Sequence, residues 1–176
     1  MVISIRDANL GDLPSILAIT NHAIENTDAI WLNSPFTLEA RRNWFDSRRA
    51  DGFPVLVACD STGSVLGFGS YGHFRAYEGY SRTIEHSVYV APAAQRLGIG
   101  QKLLSALIAQ AQSGGFQVMV AAITAGNEAS IAMHRKAGFL DGGLLPRVGR
   151  KSGRWLDLNP MYLPLDPQSE TAKDNS

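Results

Sequence analysis

Residues 88–100, VYVAPAAQRLGIG, run from a β-rich stretch through a proline-broken turn to two spaced glycines, Gly98 and Gly100. Directly afterwards Leu103, Leu104, Leu107, Ile108 and Ala111 recur with the spacing of one helix face, until Gly114 and Gly115 end the pattern. The reading is strand, glycine turn, helix. Such a helix start offers unpaired backbone N–H groups and the positive end of a dipole, and glycine places no Cβ in the path of a phosphate. A pyrophosphate cradle is one reading of the turn, and a plain tight strand-to-helix connection is the other. Two common phosphate motifs do not fit. No Gly-Lys-Ser/Thr follows, so the nucleotide P-loop lacks its lysine and its hydroxyl. The dinucleotide fingerprint needs a third glycine and an acid at the end of the next strand; Leu103 stands in its pattern, and residues 117–123 carry no acid.

Working outward, Val2 to Arg6 alternates like a short strand. Asp12 and Pro14 open a helix with Leu13, Ile16, Leu17 and Ile24 on one side. Residues 26–36 are irregular and rich in large side chains, and Thr37 is placed to cap a helix from Leu38 to about Arg49. Residues 53–60 and 64–71 read as two strands joined by a Ser-Thr-Gly turn, and Thr83 to Val90 as the next strand. Beyond the glycine-initiated helix, the pattern predicts a strand near 117–123, a helix from about Glu128 to Ala137, and strands over 140–148 and 155–163. Arg150 to Gly153 turns between the last two. The expected architecture is α/β (α+β): a mixed, mostly antiparallel sheet with helices on both faces.

Composition bounds the function. A chain of 176 residues suits one domain, expected over 1–165, with a polar, flexible tail at 166–176. A formal net charge of +0 gives no long-range attraction to nucleic acid or to an anionic membrane. No run of eighteen apolar residues and no basic-then-apolar leader occur, so the cytoplasm is the expected compartment. The single cysteine, Cys59, lies in an apolar run and reads as a buried thiol. His22, His73 and His86 lack metal-ligand spacing, and no metal is expected.

The strand 118–123 is followed by TAGNEASIAMHRKAGF over residues 124–139. Together with Gln95, Gly98 and Gly100, the positions Asn127, Ser130, Gly138 and Phe139 resemble the two signature segments of the GNAT superfamily of N-acetyltransferases. The resemblance covers roughly residues 2–165. Upstream, FRAYEGY at 74–80, TIEHSVYV at 83–90 and the late VGRKSGRWLD at 148–157 resemble the branch that includes phosphinothricin and methionine sulfoximine acetyltransferases. That resemblance implies the GNAT fold with splayed middle strands, acetyl-CoA as co-substrate and acetylation of the α-amino group of small amino-acid analogues. It also implies a homodimer and a link to herbicide resistance.

Acetyl transfer from a thioester needs a deprotonated amine. A free α-amino group titrates near pH 8, so a nearby carboxylate is the simplest proton acceptor. Glu85 alternates with Thr83 and Ser87 and shares their strand face, where the family places its base. An exposed strand carboxylate is the alternative. By resemblance, backbone groups of Val88, Tyr89 and Val90 pair with the pantetheine arm where neighbouring strands splay. The pyrophosphate then falls to Gln95, Arg96, Leu97, Gly98, Ile99, Gly100 and Gln101, with Asn127 and Ser130 on the next helix. Asn127 is equally an ordinary N-cap. His134 stands where many relatives carry the tyrosine that protonates the departing thiolate, and it is also readable as a packed helix residue. Arg75 is the candidate fork for a substrate carboxylate. The remaining substrate candidates are Trp31, Asn33, Phe36, Ala76, Tyr77, His86 and Ser87, with a dimer interface as the other use for the aromatics. Arg147, Arg150, Lys151 and Arg154 read as a solvated basic hairpin, with an anion contact as the other reading. A protein N-terminus or a polyamine is the runner-up substrate, and a non-catalytic acyl-CoA sensor is the rival class.

Overall fold

Every residue of Val55–Cys59 is buried, so this strand has no solvent face and requires cover on both sides. The computed structural model, which describes residues 2–165, supplies it. The elements are β1 (Ser4–Asp7), α1 (Leu13–Asn26), α2 (Leu38–Ala50), β2 (Val55–Cys59), β3 (Val65–His73) and β4 (Thr83–Val90). Then come α3 (Ile99–Ser113), β5 (Val118–Thr124), α4 (Glu128–Lys136), β6 (Leu140–Asp141), β7 (Leu145–Lys151) and β8 (Arg154–Pro164). The tail expected at 166–176 lies outside the described residues. Along β2, Val55, Val57 and Cys59 pack with Leu13, Ile16 and Ile19 of α1 and Phe45 of α2. The alternate residues Leu56 and Ala58 pack with Leu103, Leu104 and Leu107 of α3 and Ile131 of α4. A period of two thus divides one strand between two cores.

The sheet runs β1-β2-β3-β4-β5-β8-β6, with β7 paired to β8. All of its pairings are antiparallel except β4 with β5. That parallel pairing is short. It starts at Thr83↔Val118 and ends at His86↔Ala121. Past that point β4 stays with β3 as far as Gly67↔Val90, while β5 continues against β8 to Thr124↔Leu158. The sheet therefore forks in its middle, and from Ser87 onward the side of β4 that faced β5 has no strand partner.

Two expectations are corrected here. The strand expected over 140–148 is two strands: β6 stops at Asp141, the Gly142 amide makes the last bond of this pairing onto the Pro160 carbonyl at 2.8 Å, and Gly143 at φ 93 then turns the chain out of the ladder. The hairpin turn is also tighter than Arg150–Gly153, since β7 runs through Lys151 and β8 begins at Arg154, leaving Ser152 and Gly153 with positive φ to turn the chain. Elsewhere the boundaries shift by a residue or two. Thr37 caps α2 as its position suggests, its side chain accepting from the Ala40 amide.

Candidate active site at the fork of the sheet

The fork opens into a cleft of about 450 Å³, lined among others by Trp31, Arg75, Glu85, Ser87, Tyr89, Thr124, Asn127 and His134. A larger, more open groove of about 920 Å³ lies between α2, β2 and the end of α3, and no residue of β4 lines it. The fork is the candidate site, because there the last paired residues of β4 meet the first unpaired ones.

Glu85 lies opposite Gly72 in β3 and Val120 in β5, at the closed end of the cleft. Burial pushes its carboxyl above the ordinary glutamate range, opposed by the charges of Arg75 and then Arg48. Arg75 is exposed and lines the cleft from the β3–β4 loop. Arg48 arrives from α2 by a route the sequence does not disclose: its guanidinium lies over Gly72, where an added Cβ would collide with it. Burial lowers the pKa of this arginine, with Asp51 and Glu85 opposing. Sequence reasoning missed Arg48. The available signal was a glycine within the strand, next to its last residue, which often marks a close approach.

On the opposite face of β4, His86 meets α4. Its Nε2 lies 3.1 Å from Nε2 of His134, with the rings stacked at 27°. His134 Nδ1 lies 2.7 Å from the Ser130 carbonyl oxygen, which only accepts, so Nδ1 carries the proton. Burial, and then the neighbouring His134, push His86 down to about 3, and burial also lowers His134. Both rings are neutral near pH 7. In that state His86 Nε2–H donates to His134 Nε2, and both nitrogens of His134 are engaged. Phe139 packs edge-on against both rings, at 5.6 and 5.0 Å. The left-handed Gly138 (φ 93) brings it there: the Gly138 amide donates to the Arg135 carbonyl and the Phe139 amide to the His134 carbonyl, a Schellman end to α4.

The glycine turn at the other end of the cleft is built from backbone. A short 3₁₀ turn at Pro92–Ala94 leads to Arg96 (φ 61) and Gly98 (φ 75), both left-handed. The first N–H of α3 to reach back is that of Lys102, onto the Gly98 carbonyl at 3.1 Å. The preceding amides, 96–101, therefore remain available to an anion. Open space surrounds the position of a Cβ at Gly98, so that glycine serves its φ and the approach to the turn. Gly100 has a different reason: a Cβ there would lie 2.9 Å from Sδ of Met133, so its smallness lets α3 and α4 come together. Asn127 caps α4, its side chain accepting from the Ser130 amide at 3.3 Å, and it also lines the cleft.

The substrate candidates divide. Trp31, Arg75, Glu85, His86 and Ser87 line the cleft. Asn33 does not; its Oδ1 accepts from the Ser152 amide. Phe36 lies outside it, against the guanidinium of Arg41, and Ala76 and Tyr77 are solvent-facing, Tyr77 being 77% exposed. The basic hairpin is also not uniformly solvated, because Lys151 is buried. Cys59 is buried in the α1/α2 core, as expected. Among the described residues no helix is long and apolar enough to cross a membrane, and no cluster of three metal-ligating side chains occurs.

A forked sheet with a backbone anion cradle at the mouth and a carboxylate at the root matches a known architecture. Residues 16–139 match the family model described as the acetyltransferase (GNAT) family. The chain belongs to the GNAT acetyltransferase family. Among its relatives, the L-methionine sulfoximine/L-methionine sulfone acetyltransferase of Pseudomonas paraeruginosa is 54% identical, covering 95% of this chain and 97% of that one. Solved structures agree in fold. A ribosomal-protein-alanine N-acetyltransferase from Brucella melitensis is 50% identical with a TM-score of 0.89, covering 92% of this chain and 99% of that one. A phosphinothricin acetyltransferase from Sinorhizobium meliloti, in complex with acetyl-CoA, is 36% identical with a TM-score of 0.90, covering 93% and 89%. This GNAT enzyme is an acetyl-CoA-dependent N-acetyltransferase.

Proposed function

We propose that the enzyme acetylates the α-amino group of small amino-acid analogues with a compact polar side chain, such as methionine sulfoximine, methionine sulfone and phosphinothricin. The observation that carries this reading is the placement of Glu85 and Arg75 in one cleft of about 450 Å³, a carboxylate for the ammonium and a guanidinium for the carboxylate of one small zwitterion. The relative at 54% identity supports it by its name.

For acetyl-CoA the residues present fit. The unpartnered edge at Val88, Tyr89 and Val90 takes the pantetheine arm, the free amides from Arg96 to Gln101 take the pyrophosphate, and Asn127 and Ser130 hold the arm from α4. Gln95 shapes the entry to the turn. Glu85, its basicity raised by burial, accepts a proton from the substrate ammonium. The freed amine attacks the thioester carbonyl carbon, and its new C–N bond forms as charge gathers on the carbonyl oxygen, where edge amides of β4 stabilise it. The C–S bond then breaks, the nitrogen gives its second proton to solvent water, the departing thiolate takes a proton from solvent, and Glu85 returns its own proton to solvent before the next turnover. His134 holds its one N–H on the Ser130 carbonyl, which favours solvent over this ring. No acyl-enzyme forms, since the one thiol is buried elsewhere.

The enzyme is further read as a homodimer, supported by a run of exposed apolar side chains on β6–β8 and their connection: Leu140, Leu144, Leu145, Val148, Trp155 and Tyr162. Residues 26–36 contribute less to such a face than their sequence suggests, because Trp31 packs onto Gly149. Light scattering at micromolar concentration should give twice the chain mass; a monomer mass overturns the dimer.

Coenzyme A release measured over a panel of amines tests the substrate. Methionine sulfone should far exceed methionine in kcat/KM, because a cleft that hydrogen-bonds the sulfone oxygens loses those bonds with an analogue that lacks them. Equal values for the two overturn oxygen recognition. The neutral sulfoximine should exceed anionic phosphinothricin, since no Lys or Arg occurs at 26–36. The Brucella structure favours a second reading, a protein N-terminus as acceptor, which a preference for alanyl peptides would establish. Acetyl-CoA binding without release above background would leave only a sensor.

A further inference from the structure

Lys151 is 5% exposed, and among the described residues it has no carboxylate partner. Its Nζ donates to three main-chain carbonyl oxygens, those of Ile24 at 2.6 Å, Thr27 at 2.5 Å and Ile30 at 2.7 Å. An ammonium has three N–H groups, so its donor capacity is filled. The acceptors come from the last turn of α1 and the loop behind it, between 121 and 127 residues away in sequence. Three carbonyl oxygens converging on one point repel one another unless a cation sits between them. The helix end contributes the negative pole of its dipole and carries no basic side chain of its own in its last turn.

Burying an ammonium is costly, and an apolar side chain of similar size often serves stability equally well. The loop itself gives the reason for a charge. Ile30 immediately precedes Trp31, and Ala29, Ile30 and Trp31 form one wall of the cleft. The other fixings of this loop also run to β5 and the β7–β8 hairpin. Trp31 Nε1 donates to Thr124 Oγ1 at 2.8 Å, and Arg154 donates to both carboxylate oxygens of Asp28 at 2.8 and 3.0 Å. The indole lies on Gly149, where an added Cβ would fall 2.1 Å from the ring. The wall has no helix or strand of its own and takes its shape from the hairpin behind it.

We propose that Lys151 is a positioning residue for the amine substrate: a buried strut that holds the 27–31 wall at its distance from Glu85 and thereby sets which amines fit. It acts through Trp31 and touches no reacting atom. This rests on reading the cleft as the amine site, and it adds a determinant on the far side of the sheet from the acyl-CoA turn.

The test is steady-state kinetics of Lys151→Met, which keeps the stem and removes the charge. KM for methionine sulfone should rise by about tenfold or more, with KM for acetyl-CoA within about twofold of the parent, and the preference for sulfone over bulkier amino acids should narrow. Equal changes in both KM values, or none in either, would overturn the proposal. Gly149→Ala displaces the indole without touching the charge and should give the same one-sided rise; an unchanged amine KM there counts against it, whether or not Lys151→Met folds. If the parent enzyme prefers another amine, the substrate reading fails, and the variant-to-parent KM ratio for that amine still decides the role of Lys151.

Discussion

The two sides of the cleft are built by opposite means. The donor side, from β4 through the glycine turn to α3, is one continuous stretch whose conformation is set by its own residues: Pro92 ends the strand, Arg96 and Gly98 take positive φ, and α3 begins. The amine side is a loop without regular structure, held by Lys151, Gly149, Thr124 and Arg154 from more than ninety residues away. On the proposed reading, a co-substrate common to a whole family is met by local backbone geometry, and a variable acceptor by side chains that tertiary contacts bring together. Changes on the donor side should therefore alter acetyl-CoA binding alone, and changes on the amine side selectivity alone. Glu85 stands at the fork where the two sides meet, so its loss should fall on turnover and give the largest effect.

Glu85→Gln should lower kcat by about 10²- to 10⁴-fold while leaving acetyl-CoA affinity, read by calorimetry, unchanged. Near-normal turnover across the pH range would give the proton to another group. Gly98→Val places a β-branched residue at φ 75. Its strain of about 1–2 kcal/mol should weaken acetyl-CoA binding by roughly five- to thirtyfold with little change in amine selectivity. Unchanged affinity in a folded variant would remove the turn from the donor site.

The buried histidine pair ties β4 to α4, since His86 is on the strand and His134 on the helix. Its folded-state pKa values are depressed, so the unfolded chain binds more protons in mild acid and stability is lost as pH falls. The window opens near the unfolded histidine value of about 6.5 and extends toward 3 for His86. His86 should contribute a slope of up to about 1.4 kcal/mol per pH unit, with His134 adding in the same direction. Urea midpoints at several pH values check this, and His86→Phe should flatten the curve; an unaltered slope would mean that the pair is not the source.

The smallest expected effect concerns Arg48. Glu85 is faced by Arg75 from the β3–β4 loop and Arg48 from α2, with Asp51 beside Arg48 and Tyr89 further along β4. Removing one cation makes the carboxyl easier to protonate, so in Arg48→Met the acid limb of kcat/KM should move to higher pH while the plateau changes little. A limb that stays in place would make Arg48 a packing residue only.

Most of the fold was legible because its elements announce themselves at short range. Alternation marked β4, three- and four-residue recurrence marked α3, and a threonine marked the start of α2. The glycine turn before α3 was legible for the same reason. The amine site was legible only where a residue lies on a regular element: Glu85, His86 and Ser87 are in the cleft because β4 carries them there. Asn33, Phe36 and Tyr77 were misplaced because loop side chains have no period to fix their direction. Lys151 read as solvated because a lysine in a basic hairpin gives no local sign of three carbonyls converging on it.

By itself the sequence determined the order of strands and helices, the left-handed turn before α3 and the carboxylate on β4, since each follows from a few contiguous residues and their φ, ψ and face preferences. Only the tertiary structure decided where β4 and β5 part, that the Arg48 guanidinium lies over Gly72, the ladder partner of Glu85, and that Lys151 braces the wall opposite. Those features depend on which chemically ordinary residues meet across long separations, where packing and the satisfaction of buried polar groups select the partner.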